Sequence, residues 1–163
     1  MRVWLASLAL VALAASAPTL DAGGLGAVRV GMTLAQASRA LGVKLRLAAD
    51  PGYSSDECDY AYRVDKRDGG VSYMVAHGRI VRIDVVKPGV TTRLGIGVGS
   101  KIAAIRAAYP RIKSEPNRYS EEPEFEWQAP GGKSGLIFGT EKGRVSYIWA
   151  GRYPELSLVE GCS

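Results

Sequence analysis

The chain repeats itself, and that limits its fold more than anything else in the sequence. Val30-Gly31 followed by Leu34, Ala37 and Leu41 recurs at a constant offset as Val98-Gly99 followed by Ile102, Ile105 and Tyr109. Each set places apolar residues at helical spacing behind a glycine and a polar starter. Thr33 suits the first helix as its cap, Gln36 completes a capping box, and Gly42 is a stop. Ser100 is the expected cap of the second helix. Pro110 ends it, because proline disfavours helical geometry in the residue before it.

The later part of each copy also matches, at a slightly smaller offset. Tyr60 and Tyr62 align with Phe125 and Trp127, Val71 and Tyr73 with Leu136 and Phe138, and Gly78-Arg79-Ile80 with Gly143-Arg144-Val145. Period-two apolar patterns separated by Gly69-Gly70, His77-Gly78, Gly131-Gly132 and Lys142-Gly143 predict strands joined by tight turns. Each copy thus reads as helix, strand, hairpin, with residues 18–88 as the first repeat and 89–163 as the second. The join from Lys87 to Thr92 is too short for the copies to tumble independently. One helix and a few strands make little core, so the copies are expected to pack as a single α+β unit. Two half-sheets would continue into one antiparallel sheet, with the helices packed on one sheet face and the other face partly open.

Composition supports a folded chain of this size. Of 163 residues 47% are hydrophobic and 23% charged, enough apolar surface to offset chain entropy. One long apolar run exists, Leu5 to Ala15 behind Arg2, and it is shorter than the roughly 20 residues of a membrane span. With Ala15-Ser16-Ala17 as a small-residue cleavage site, residues 1–17 read as a secretory signal peptide, and Ala12-Leu13-Ala14 is a competing site. The mature protein is then expected in the periplasm or outside a bacterial cell, with no transmembrane segment. Export gives the two cysteines a use in each other. A Cys58–Cys162 bond would close a loop of about 100 residues and restrict the unfolded chain by up to ~4.7 kcal/mol.

The Gly31-Met32-Thr33-Leu34-x-Gln36-Ala37 start and the Leu41-Gly42 finish resemble the opening helix of outer-membrane assembly lipoproteins of the SmpA/OmlA type. The tandem duplication of a helix followed by antiparallel strands resembles beta-lactamase inhibitor protein. The resemblance covers most of the mature chain in layout and about ten residues at each helix in motif. It implies a protein that presents its sheet to a target enzyme or to an assembly machine. No inhibitor contact residue carries over, and no lipobox cysteine is present.

No residue pattern points to catalysis or to a cofactor. Gly95-Ile96-Gly97-Val98-Gly99-Ser100 lacks the spacing of a nucleotide-binding loop and reads as an approach to the second helix. His77 is the one histidine, sits in a turn, and has no nucleophile and carboxylate marked beside it; a multi-histidine metal site is excluded. The acidic group Glu121, Glu122, Glu124 and Glu126 reads as a solvated strand face, with a glycan-acting enzyme as a distant alternative. The formal charge of +5, with its basic residues dispersed, argues against nucleic acid and leaves an anionic cell-wall polymer as a partner.

The aromatics on the strand patterns carry the functional reading. Tyr60, Tyr62, Tyr73, Trp127, Tyr147 and Trp149, with Arg82 and Arg144 beside them, form the candidate binding residues. They are either core or an exposed face for a protein partner, since Tyr and Trp are enriched in binding hot spots. The expected role is non-enzymatic: docking an envelope or secreted protein. Binding of peptidoglycan or lipopolysaccharide is the alternative.

Overall fold

The computed structural model describes residues 18–48, 58–67 and 69–162. The proposed signal peptide lies outside them. Twelve strands and two short helices follow in order: β1 (Thr19–Asp21), β2 (Gly24–Leu25), β3 (Val28–Arg29), α1 (Leu34–Leu41), β4 (Leu45–Leu47), β5 (Cys58–Arg63), β6 (Val71–Ala76), β7 (Arg79–Val85), β8 (Thr91–Thr92), α2 (Ile102–Ala108), β9 (Lys113–Glu115), β10 (Glu124–Gln128), β11 (Ser134–Glu141) and β12 (Arg144–Arg152). A single 3-10 turn, Glu155–Ser157, follows β12.

Eight strands form one antiparallel sheet in the order β4-β5-β6-β7-β12-β11-β10-β9. The two halves run outward from its centre in the same sequence of hairpins. At the central pair Ile148 lies opposite Val85, Ala150 opposite Ile83, and Trp149 opposite Asp84. The matching extends to the joints. Thr33 bridges to Arg79 and Lys101 to Arg144. Arg79 donates to the Gly31 carbonyl and Arg144 to the Gly99 carbonyl, each at 2.8 Å. The β6–β7 and β11–β12 turns both begin on a non-glycine residue in the left-handed region, His77 and Lys142, followed by Gly78 and Gly143. That is the backbone a two-residue hairpin turn demands.

The helices contribute less than expected, and the α+β expectation is corrected: the described chain is mostly β, built of two sheets. α1 has the expected capping box, with Gln36 N donating to Thr33 and Thr33 N to the Gln36 side chain, and Gly42 ends it in the left-handed conformation. It spans eight residues and fully buries Ala37 alone. α2 spans seven residues and fully buries Ile105 alone. Its N-cap is Lys101, which makes no side-chain capping bond, while the Ser100 hydroxyl accepts from Gly97 N.

Two-turn helices cannot cover an eight-stranded face, and a second sheet closes the remainder. It has the order β3-β2-β1-β8; β8 falls in the join expected between the copies, and β1 to β3 precede the first helix, where the sequence carried no strand pattern. β8 lies parallel to β1, with Leu20 opposite Thr92. Leu20, Leu25 and Val28 from this sheet meet Tyr73, Ile80, Ile83, Val85, Phe138 and Ile148 of the large one in a single apolar core. Tyr109, just past α2, packs its ring against Trp127 and Phe138 at 5.5 and 5.3 Å between centroids.

Candidate functional site

Side chains alternate across a strand, so the residues that do not face this core line the outer face of the large sheet. On β7 these are Arg82 and Asp84, on β12 Tyr147 and Trp149, on β5 Tyr60 and Tyr62, and on β10 Glu124 and Glu126. They form a connected layer.

Arg82 is at its centre and 1% exposed. Its guanidinium makes a bidentate pair with Asp84 at 2.7 and 2.9 Å and donates to the Tyr60 hydroxyl at 2.7 Å. It also lies 4.4 Å from the centre of the Trp149 ring. Trp149 also stacks on Tyr147, 4.7 Å between centroids. Tyr147 lies across Gly139 of β11, where any Cβ would collide with its ring. Burial pushes the Asp84 carboxyl up, and hydrogen bonds from Arg82 pull it part of the way back. Burial, then the neighbouring Asp84 charge, pushes the Tyr60 hydroxyl up to about 12, against the pull of Arg82.

The C-terminal segment crosses this layer as a strap. Its 3-10 turn buries Leu156 completely and lies over Gly135, where an added Cβ would meet Leu156 and Tyr153. Two carbonyls of the strap, Glu155 and Leu158, accept from Arg82 at 3.3 and 2.6 Å. Beyond Gly161, which sits against Tyr60, the segment ends in the Cys58–Cys162 disulfide, with a Cα separation of 5.3 Å. The bond anchors the strap on β5 over a small apolar cluster of Met74, Ala76 and Val81.

An open cleft of about 520 Å³ lies beside the strap. Tyr147 and Trp149 line it together with Val159 of the strap. Asn117, Tyr119 and Ser120 of the β9–β10 connection line it too, as do Thr140, Ser146 and the carboxylate-bearing Glu141. Tyr119 is 68% exposed and donates its hydroxyl to Glu160 at 2.8 Å. This arrangement offers aromatic surface and hydroxyl and amide groups in one concavity, suited to recognition of a partner surface.

The structure brings together Tyr60, Tyr62, Arg82, Tyr147 and Trp149 of the expected binding residues. It does not bring in the other three. Tyr73 is buried in the core, 1% exposed, and Trp127 is half-buried against the core. Both lie on the inner face, since Tyr73 pairs with Ala61 and Ile83, and Trp127 with Leu136. Arg144 is exposed at the start of β12, where it ties the second helix approach to the sheet. The expectation that Tyr60 and Tyr62 match Phe125 and Trp127 is corrected by register. Tyr73 pairs with Ala61, and the matching Phe138 pairs with Phe125. The outer-face counterparts of Tyr60 and Tyr62 are therefore Glu124 and Glu126.

The acidic group has structural partners. Both oxygens of Glu122 accept from Gly143 N at 3.0 and 2.9 Å. Glu124 accepts from the Tyr147 hydroxyl and Glu126 from Tyr153 and Gln128. Burial and these carboxylates hold both tyrosine hydroxyls well above their usual range. Sequence reasoning missed Asp84, Tyr119, Tyr153 and the strap. Asp84 between Ile83 and Val85 was a readable signal of an outer-face charge; nothing local marks Tyr119.

Among the described residues no cluster of His, Cys, Asp and Glu is arranged to hold a metal ion, and no helix is long and apolar enough to cross a membrane. No family model matches the chain, and no curated protein matches it. A solved structure, that of the uncharacterised protein yfeY from Escherichia coli, is similar at a TM-score of 0.49 and 15% identity, over 82% of this chain and 99% of that one.

Proposed function

We propose that this chain is an exported, non-enzymatic binding protein of the bacterial envelope that docks a protein partner on the outer face of its large sheet. The observation that carries this reading is the cleft beside the strap, with Tyr147 and Trp149 in its lining and the exposed Tyr119 at its edge. Tyr62, 46% exposed, adds aromatic surface on the same face. Such rings bury large area at little conformational cost and are enriched where binding energy concentrates. The disulfide over a long sequence separation fits a periplasmic or secreted location. The likeness of the α1 start to SmpA/OmlA-type proteins, and of the duplication to beta-lactamase inhibitor protein, supports an envelope assembly or inhibitor role.

Cell-wall polymer is the second reading: the hydroxyl and amide groups of Asn117, Ser120 and Ser146 in the cleft suit a glycan, and the +5 charge of the whole chain favours an anionic one, against the Glu141 carboxylate in the same lining.

The test is retention of envelope proteins on the immobilised, oxidised chain, compared with a Tyr62→Ala/Tyr119→Ala variant. Both side chains are exposed, so the variant keeps the parent's melting temperature. A protein retained by the parent and lost by the variant supports the reading. Identical retention by both contradicts it, and sedimentation with purified cell wall, reversed by salt, would favour the polymer instead.

A further inference from the structure

The connection from Pro116 to Pro123 joins β9 to β10 and forms one wall of the cleft beside the strap. Its two end residues have no N–H, and among the described residues 117–121 make no main-chain hydrogen bond to the sheet. Side chains hold it instead. At the β10 end both Glu122 oxygens accept from Gly143 N, and Thr140 donates to the Pro123 carbonyl at 2.6 Å. At the β9 end the tie is Asn117.

Asn117 is half-buried in the cleft lining. Its Oδ1 accepts from Tyr119 N–H at 2.8 Å and closes a turn there. The N–H group of the same amide donates to the Tyr147 hydroxyl, against the burial that pushes that hydroxyl up. The Tyr147 proton goes to Glu124, which leaves the hydroxyl oxygen able to accept. Tyr119 in turn donates to Glu160 of the strap. One chain of hydrogen bonds thus runs Glu160, Tyr119, Asn117, Tyr147, Glu124, from the strap to β10. The turn and the tie to Tyr147 make different demands. An aspartate makes the same turn, because only the oxygen is used. Against Tyr147 it would place an acceptor where the hydroxyl proton is already committed to Glu124.

We propose that Asn117 is the positioning residue of the docking cleft. Its amide holds the Tyr119 segment against Tyr147, so that aromatic surface from both walls is in place before a partner arrives and the cost of ordering it is not met on binding. Its role in docking rests on the function proposed above; its geometry does not.

NOEs between residue 117 and the Tyr147 ring, measured on the oxidised full chain, test the geometry. The parent should show them. Asn117→Asp should lose them, with the core resonances of Tyr73 and Phe138 unchanged. NOEs that persist in Asn117→Asp, or are absent from the parent, would overturn the proposal, since a turn alone tolerates aspartate. A photoreactive phenylalanine analogue at position 119 tests the consequence and keeps the main-chain N–H that Asn117 receives. Asn117→Asp should lower the yield of its protein adduct in intact cells about fivefold, the worth of one hydrogen bond. With Tyr147→Phe already present it should lower the yield no further, whereas repulsion of a partner by the added charge would persist. An undiminished adduct, or an equal loss in both backgrounds, would overturn the proposal. No adduct from the parent, with the NOEs as stated, would contradict the docking alone and uphold the placement by Asn117.

Discussion

Arg82 and Tyr147 occupy the same place in the two halves of the sheet, and each reaches across to its own half's second strand. Arg82 lies opposite Met74 and donates to Tyr60; Tyr147 lies opposite Gly139 and donates to Glu124. The duplicated backbone is thus filled with different chemistry. The first half puts a buried cation at this position, and the second puts a ring over a glycine. Trp149, between them, touches both.

The buried guanidinium serves Asp84, Tyr60 and two strap carbonyls at once. Arg82→Ala leaves a buried carboxylate and three further acceptors, the Tyr60 hydroxyl and the two strap carbonyls, without their donor. It is expected to cost about 3–5 kcal/mol, the range for breaking a buried ion pair by removing one partner. Urea denaturation measures this. Arg82→Lys should recover only part, since an ammonium cannot reproduce the bidentate fork.

The strap has a second anchor in its disulfide, which spans 104 residues of sequence. Cys58→Ser/Cys162→Ser is expected to lower stability by up to ~4.7 kcal/mol through the freed unfolded chain. Amide exchange should rise first over residues 156–162, and Arg82 should keep the 3-10 turn more protected than the free end.

Gly139 is required by its neighbour rather than by its own backbone. Gly139→Ala drives a methyl into the Tyr147 ring and is expected to cost about 1–3 kcal/mol, the usual penalty of overpacking. Adding Tyr147→Ala should relieve that clash, so a double-mutant cycle would show strong coupling between the two positions.

Tyr60, Tyr147 and Tyr153 all hold their protons more tightly in the folded state than a free tyrosine does. A raised folded-state value means that the unfolded chain loses its protons first. The stabilisation is complete below about pH 10 and is lost as pH rises toward and beyond 12. Melting temperature should fall across that window together with growth of tyrosinate absorbance. Tyr147→Phe should be less sensitive to it.

Local chemistry made much of this fold legible. The Thr33–Gln36 capping box, the Gly42 stop, and the His77-Gly78 and Lys142-Gly143 turns are short-range signals, and the structure contains each of them. The second sheet had no such signal: β1, β2, β3 and β8 are two or three residues long, too short for a period to register. The candidate site failed in part for a different reason. Matching Tyr60 and Tyr62 to Phe125 and Trp127 by aromatic type slips the register by one residue, and such a slip exchanges the two faces. The true counterpart of Phe125 is Ala61, a residue too unlike it to be recognised. Tyr73 and Trp127 stand among the candidate binding residues, with core or exposed face left open, because residue type does not report which side of a sheet is dry.

The central claim is that the outer face beside the strap receives a protein partner. Its most direct test is a photoreactive phenylalanine analogue placed at position 119 in the exported chain, with the same group at position 94 as control. Leu94 is exposed, at 55%, just past β8 of the small sheet and outside the cleft. Irradiation of intact cells should give one discrete adduct with another protein from position 119 and none from position 94. No adduct from position 119, or the same adducts from both positions, would contradict the account.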